Sequence, residues 1–205
     1  MEFSNSYELL MILREKNLLL NSPKYWWPNY GSFEVVVGAI LTQNTKWENV
    51  QKALKNLNNL SLKDILEIDE IYLAELIKPV GFYNQKAKRL KLLAKNILKD
   101  FGDFENFKEK ENVSREWLLA QKGVGFETAD SILCYACGRE IMVVDAYTKR
   151  LTKKAGYEFE SYDELREWCE RGVIENWGKI ADFYENDLNL CFARFHGKIV
   201  EYMKR

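Results

Sequence analysis

The stretch from Lys122 to Leu151, KGVGFETADSILCYACGREIMVVDAYTKRL, holds two features that could do chemistry together. Gly123, Val124 and Gly125 make a sharp turn whose bare backbone N–H groups suit a phosphate oxygen. The helix after it offers unpaired N–H donors and a positive pole, and Thr128 adds a hydroxyl. Asp145 follows the apolar Val143-Val144 and stands at the mouth of the next helix. A carboxylate kept ionised by a helix pole can face a developing positive charge, such as the oxocarbenium-like sugar formed when an N-glycosidic bond breaks. Together they point to chemistry on a nucleic acid. Each half alone has a plainer reading: an ordinary αα-corner for the glycines, and a helix cap on the Thr148 N–H for the aspartate.

The elements that must position these residues are helical. With 47% hydrophobic residues in 205, the chain can build one large domain or two small ones sharing a seam. Only three prolines, among runs of Leu, Lys, Glu and Asn, favour helix throughout. Ser32 is expected to cap a helix through FEVVVGAILTQ, and Trp47 to Leu57 forms the next. Ser61 and Asp69 cap two short helices ending near Pro79. Tyr83 to Phe101 is long and amphipathic, with Ala87, Leu90, Ala94 and Ile97 on one stripe and lysines opposite. Ser114 begins a helix into the hairpin, and Glu127 to Cys137 forms the helix after it. Ser161-x-x-Glu164 reads as a capping box, and a last helix runs from about Ile180 to Met203. Ile141 to Val144 alone is extended, too short to found a sheet. The fold class is all-α. A Val-Gly-Phe echo between PVGFYNQKAKRL and KGVGFETADSIL is read as two similar turns, not a duplication.

Composition narrows the function classes. The formal net charge of -1 excludes a uniformly basic coat but not a local patch. Lys86, Lys88, Arg89, Lys91, Lys95 and Lys99 crowd one helical segment. Cys134 and Cys137 form a C-x-x-C inside the apolar SILCYACG, so they read as small buried helix residues. With Cys169, Cys191 and the lone His196, no cluster completes a zinc or iron–sulfur site. No apolar run reaches the roughly 20 residues that cross a bilayer, and MEFSNSYELL is no signal peptide. A cytoplasmic protein is expected, nucleoid-associated in a prokaryote.

Hairpin, small-residue helix, Val-Val-Asp and basic helix together resemble the helix-hairpin-helix DNA glycosylases of the endonuclease III superfamily. AILTQNTKWENV resembles the family segment whose glutamine fills the gap left by a flipped base, which implies that Gln43 intercalates. IKPVGFYNQKAKRL and ARFHGK resemble further family segments. Two departures narrow the match. Members that also cut the strand carry a Schiff-base lysine two residues after the GVG turn, where this chain has Glu127. The family's four-cysteine cluster run after the His-Gly segment is absent, since only IVEYMKR follows. The chain is therefore most similar to the iron–sulfur-free 3-methyladenine glycosylases, a match that YWWPN and FYNQKAKRL strengthen. The resemblance also implies a monovalent cation at the hairpin carbonyls, with no metal otherwise.

Trp26 and Trp27 stand together before Pro28, and Trp47 lies a helical turn beyond Gln43. Any one of them is readable as core, but a Trp-Trp pair in a loop also suits stacking. An alkylated purine is cationic, and an indole face stabilises it by roughly 0.5–2 kcal/mol. Its charge makes it a good leaving group, so Asp145 suffices in a pocket with no obvious histidine or second acid. Lys198 is expected either to wall the pocket or to snorkel to the surface.

These expectations combine into a two-lobed all-α protein. Residues 24–137 form a bundle ending in the hairpin, and residues 1–23 with 138–205 form the second lobe carrying the catalytic Asp145. DNA is expected across the cleft, with Gly123, Val124, Gly125 and Thr128 on phosphate, Gln43 in the gap, and Trp26 and Trp27 sandwiching the base. The implied function is a monomeric, monofunctional glycosylase of base excision repair acting on damaged double-stranded DNA. Three rivals stay open: a glycosylase/lyase using Lys122, a non-catalytic DNA-binding module in which Asp145 is only a cap, and a glycosylase for mismatched adenine or oxidised bases, which relatives with similar frames handle.

Overall fold

A computed structural model describes residues 2–109 and 112–205, and every regular element among them is helical. In chain order these are α1 (Ser6–Arg14), α2 (Phe33–Leu41), α3 (Trp47–Leu57), α4 (Leu62–Glu67), α5 (Glu70–Leu76) and α6 (Tyr83–Phe101). Then come α7 (Phe104–Lys108), α8 (Arg115–Leu119), α9 (Phe126–Ser131), α10 (Ala146–Lys154), α11 (Tyr162–Glu175), α12 (Trp177–Ile180) and α13 (Leu188–Lys204). The chain divides into two compact units, residues 29–138 and residues 1–28 with 139–205. Lys24 to Pro28, which carries both loop tryptophans, falls in the second of these. No described helix is long and apolar enough to cross a membrane.

In the unit of residues 29–138, α2 is apolar almost all round and buried from Phe33 through Leu41 except at Glu34. Such a helix must be enclosed, and α3, α6 and α9 pack against it. The α6 stripe of Ala87, Leu90, Ala94 and Ile97 is buried as its spacing requires. Ser61 closes a reciprocal capping box with Asp64, and the Asp69 carboxylate accepts from the N–H groups of Ile71 and Tyr72.

The lysine face of α6 needs correction. Lys86 is only 2% exposed. Lys91 is half-buried, donating to the carbonyls of Ile65, Leu66 and Ile68 at the end of α4. Carbonyls at a helix end attract an ammonium. The solvent-facing cations of the segment are therefore Lys88, Lys95 and Lys99, with Arg89 half-buried.

The hairpin joins α8 to α9. Ser114 caps α8 through the Trp117 N–H. Arg115 at the start of α8 reaches the fully buried Asp130 of α9, Nε to Oδ1 at 2.6 Å and Nη2 to Oδ2 at 3.1 Å. This two-pronged pair clamps the two helices on either side of the turn. In Asp130→Asn the guanidinium would face a neutral amide, which we expect to cost about 2–4 kcal/mol. Thermal melting should read this as a drop of roughly 5–15 °C; an unchanged midpoint would remove the clamp from the account.

After α9 the helix does not continue regularly to Cys137. It widens into a π turn over Ile132–Ala136, where the Cys137 N–H reaches back to the Ile132 carbonyl at 3.1 Å. Tyr135's carbonyl meanwhile accepts from the Gly31 N–H at 2.8 Å, a tertiary partner that local spacing does not reveal.

The unit of residues 1–28 with 139–205 packs α1 on α11 and α13, and α10 on α13. Its core includes Leu9, Leu10, Leu13, Met142, Val144, Leu165, Phe192, Phe195 and Ile199. Ile141 to Val144 is extended but pairs with no strand among the described residues. The Ile141 N–H goes to the Arg139 carbonyl at 2.8 Å, and two further donors go to side chains, Met142 N–H to Glu170 at 2.9 Å and Val144 N–H to the Tyr162 hydroxyl at 3.4 Å. Ser161 caps α11, but the Glu164 carboxylate accepts from the Glu160 N–H, so the expected box is only half made. The expected last helix is interrupted by left-handed Glu185 and Asn186 before Asp187 caps α13.

Candidate active site

Asp145 is the N-cap of α10. Its Oδ1 accepts from the Thr148 N–H at 2.8 Å and the Thr148 hydroxyl at 3.1 Å. Its Oδ2 lies 3.6 Å from Nε2 of His196. Burial pushes the Asp145 carboxyl up, but His196 and the Thr148 donors outweigh it and hold the group below its ordinary value. The side chain therefore caps the helix with one oxygen and keeps an ionised second oxygen beside a ring.

That histidine corrects the expectation of a site without one. His196 is buried on α13, where it follows the apolar face of Phe192 and Phe195. Its ring meets Trp26 edge to face, centroids 5.0 Å apart at 72°. Gly197, next along α13, leaves room for the same indole: a Cβ there would lie 2.4 Å from Trp26 Cγ. The signal was present in the sequence as a glycine beside the lone histidine, but its partner was not.

Trp26 is held in a left-handed conformation, φ +67°, and its N–H bonds the Pro23 carbonyl at 2.8 Å. The loop is pinned at the two residues before Trp26. The Tyr25 hydroxyl donates to Asp187 at 2.6 Å, and Arg194 donates to the Lys24 carbonyl at 3.0 Å. Burial and the Asp187 carboxylate push the Tyr25 phenol up to about 12, so it stays a donor. Trp27 is buried, and the two indole planes stand at 88° with centroids 6.2 Å apart. Perpendicular rings offer no parallel-walled slot, so Trp26 and Trp27 do not sandwich a base between them. Trp27 instead buttresses Trp26.

Lys198 is 6% exposed, which removes the snorkelling alternative. Burial, then the Arg194 and Arg14 charges, lower its affinity for a proton. A cavity of ≈ 340 Å³ opens beside Trp26 with Leu19, Leu20 and Glu201 in its walls. Asp145 does not line it.

In the other unit the hairpin turns at Gly123, while Gly125 is extended at φ −98° and N-caps α9. Gly123 has φ +83°, and the Arg89 side chain lies where its Cβ would be, Nε at 2.5 Å. Val124 is buried and its N–H bonds the Gln121 carbonyl at 3.1 Å. Gln43 is not a free side chain. Its amide nitrogen donates to the Gly123 carbonyl at 2.8 Å and to the Thr128 hydroxyl at 3.0 Å, and its oxygen accepts from Arg89 at 3.0 Å. Thr128 is 7% exposed, so its hydroxyl serves Gln43 rather than solvent. Trp47 opens α3 and is half-buried. Cys134, Cys137, Cys169 and Cys191 form no disulfide among the described residues, and no group of three or more His, Cys, Asp or Glu among them could hold a metal ion.

A family model described as HhH-GPD superfamily base excision DNA repair protein matches residues 37–174. The chain belongs to this superfamily. The HhH-GPD match spans the hairpin and Asp145 alike. A Methanocaldococcus jannaschii protein named as a DNA repair glycosylase is 42% identical, over 98% of this chain and 90% of its own. The endonuclease III of Thermotoga maritima is 28% identical over 72% of this chain and 68% of its own. The crystal structure of H. pylori 3-methyladenine DNA glycosylase bound to 1,N6-ethenoadenine superposes with a TM-score of 0.94, at 53% identity and 98% coverage of both chains.

Proposed function

We propose that this HhH-GPD chain is a monofunctional DNA glycosylase of base excision repair, which flips alkylated purines such as 3-methyladenine from duplex DNA and hydrolyses their N-glycosidic bond. The observation that carries the reading is Asp145: a carboxylate held ionised at a helix mouth, with His196 beside it and Trp26 packed in turn on His196. The likeness to the H. pylori enzyme, over nearly the whole of both chains, supports the same substrate class.

Flipping costs a few kcal/mol, least for a damaged base. Gln43 fills the gap; to do so its amide exchanges the Arg89, Gly123 and Thr128 contacts for the orphaned base. The hairpin N–H groups, with lysines of α6, hold the backbone and supply affinity without sequence preference, which falls steeply with salt. A cationic alkyladenine stacks on the Trp26 face, and Lys198 adds to the pocket wall. As the bond to the sugar lengthens, its electron pair leaves with the base and cancels the base's charge. Asp145 stabilises the positive sugar and orients the water that adds to it, and one proton passes to solvent. No general acid is required for a leaving group already charged.

Glu127 stands where a Schiff-base lysine would be needed, which supports hydrolysis without strand cutting. A monovalent cation fits the hairpin, whose Gln121 and Gly123 carbonyls each accept one hydrogen bond and keep a second lone pair. Uncharged oxygens of this kind suit a singly charged ion, which would tie the turn to a phosphate.

The test uses duplexes carrying 3-methyladenine, 1,N6-ethenoadenine, an oxidised pyrimidine or an A·G mismatch, with free base and strand breaks measured separately. Release of alkylated adenine without breaks, and without a borohydride-trapped adduct, is expected. A trapped adduct would assign Lys122 as the amine, and cutting at an oxidised pyrimidine would overturn the substrate class.

A further inference from the structure

Lys86 is a buried cation with no part in the reaction above. It lies one turn into α6, and its ammonium donates to the carbonyls of Gln43 at 2.8 Å, Leu41 at 2.9 Å and Val80 at 3.2 Å. An ammonium has three N–H donors and no acceptor, so the carbonyls use its full capacity. No carboxylate among the described residues is within ion-pair distance of it, and Arg89 of its own helix is the charged group that bears on it. Leu41 ends α2, and Val80 ends the short turn Lys78–Val80, so two negative helix ends share one charge. Both lead into left-handed backbone, at Asn44 (φ +53°) and at Gly81 and Phe82 (φ +67° and +46°). Arg89, one turn further along α6, grips the Gln43 side chain. One helix thus holds Gln43 by main chain and side chain together.

We infer that Lys86 is a positioning residue for Gln43, its ammonium tying the Gln43 backbone to the Val80 turn so that the side chain enters the duplex in register. The inference rests on the glycosylase reading. A neutral amine keeps only two N–H donors and would leave one carbonyl unmatched. Burial, with Arg89 adding to it, lowers the Lys86 ammonium to about 8. The sign matters. Above pH 8 the folded chain sheds this proton while the unfolded chain keeps it to about 10.4, so rising pH favours folding through this group. Base release should therefore fall through pH 8–9, a loss that deprotonation of Lys86 does not bring about by unfolding the chain.

The experiment compares wild type, Lys86→Met, Lys86→Arg, Gln43→Ala and the Lys86→Met/Gln43→Ala double variant, by kcat/KM for 3-methyladenine release from duplex and by melting. Wild-type activity tests the glycosylase reading by itself. Given that activity, Lys86→Met should lose on the order of 10-fold or more, yet cost less than about 3-fold in the Gln43→Ala background, as coupled residues do. Lys86→Arg should recover most of the loss and extend activity to higher pH, because a guanidinium keeps its proton. Losses that multiply, or a Lys86→Met variant as active as wild type, would overturn the inference. Should Lys86→Met not fold, the Lys86→Arg pH profile decides: superposition on the wild-type profile counts against the tie.

Discussion

Replacing Asp145 by asparagine is expected to lower release of alkylated adenine by about 10²–10⁴-fold, the range lost with a positioned acid or base. The fold should barely register the change. Asparagine caps a helix about as well as aspartate, and its carbonyl oxygen can still accept from the Thr148 N–H now bonded at 2.8 Å. What disappears is the charge on the second oxygen, which faces His196. Loss of its attraction to the helix pole costs about 0.3–1 kcal/mol, a shift of only a few degrees in melting temperature. Affinity for a duplex with an abasic site should persist. The variant therefore separates a catalytic carboxylate from a cap. Single-turnover release within 3-fold of wild type would return Asp145 to the role of a cap alone.

The second large effect is expected at a position with no reactive group. Gly197→Ala should reduce base release by roughly 10–100-fold, because a displacement near 1 Å can cost that much in a site built on orientation. The helical backbone of α13 accepts alanine and even favours it by about 1 kcal/mol. The obstacle is tertiary. The new methyl would sit 2.4–2.7 Å from Cγ, Cδ1 and Cδ2 of Trp26, inside any permissible contact. Trp26 has little freedom to yield, since its left-handed backbone lies between the Pro23 bond and the Tyr25–Asp187 anchor. The indole must tilt off His196, and with it the face proposed to stack on a flipped base. Overpacking of about 1–3 kcal/mol is partly offset by the helix preference, so melting should change by a few degrees while activity falls. Undiminished kcat/KM at 25 °C would show that the Trp26 position is not needed for turnover.

Much of the architecture was legible because it is written in short-range chemistry. Ser61, Asp69 and Ser114 mark helix starts by hydrogen bonds two or three residues away, and α6 follows from one apolar stripe. Failures occur where another group intervenes, near or distant. Lys86 has the sequence context of a surface lysine, but the carbonyls that bury it come from α2 and the Val80 turn. Glu164 left its expected box for the Glu160 N–H, a competitor of equal reach. The π turn after α9 cannot be read from ILCYA, whose residues suit any buried helix.

The sequence by itself determined the all-helical fold, the superfamily, and an aspartate at a helix mouth after a Gly-Val-Gly turn. These depend on residue types at fixed local spacing, and local spacing is preserved on folding. Only the tertiary structure decided what stands against that aspartate and how the aromatics face. His196 and Trp26 reach Asp145's neighbourhood from opposite ends of the chain, and the indole's direction depends on a left-handed backbone that tryptophan does not favour. Local propensities cannot encode either, because the energy that holds them comes from packing around Gly197 and the Tyr25–Asp187 bond.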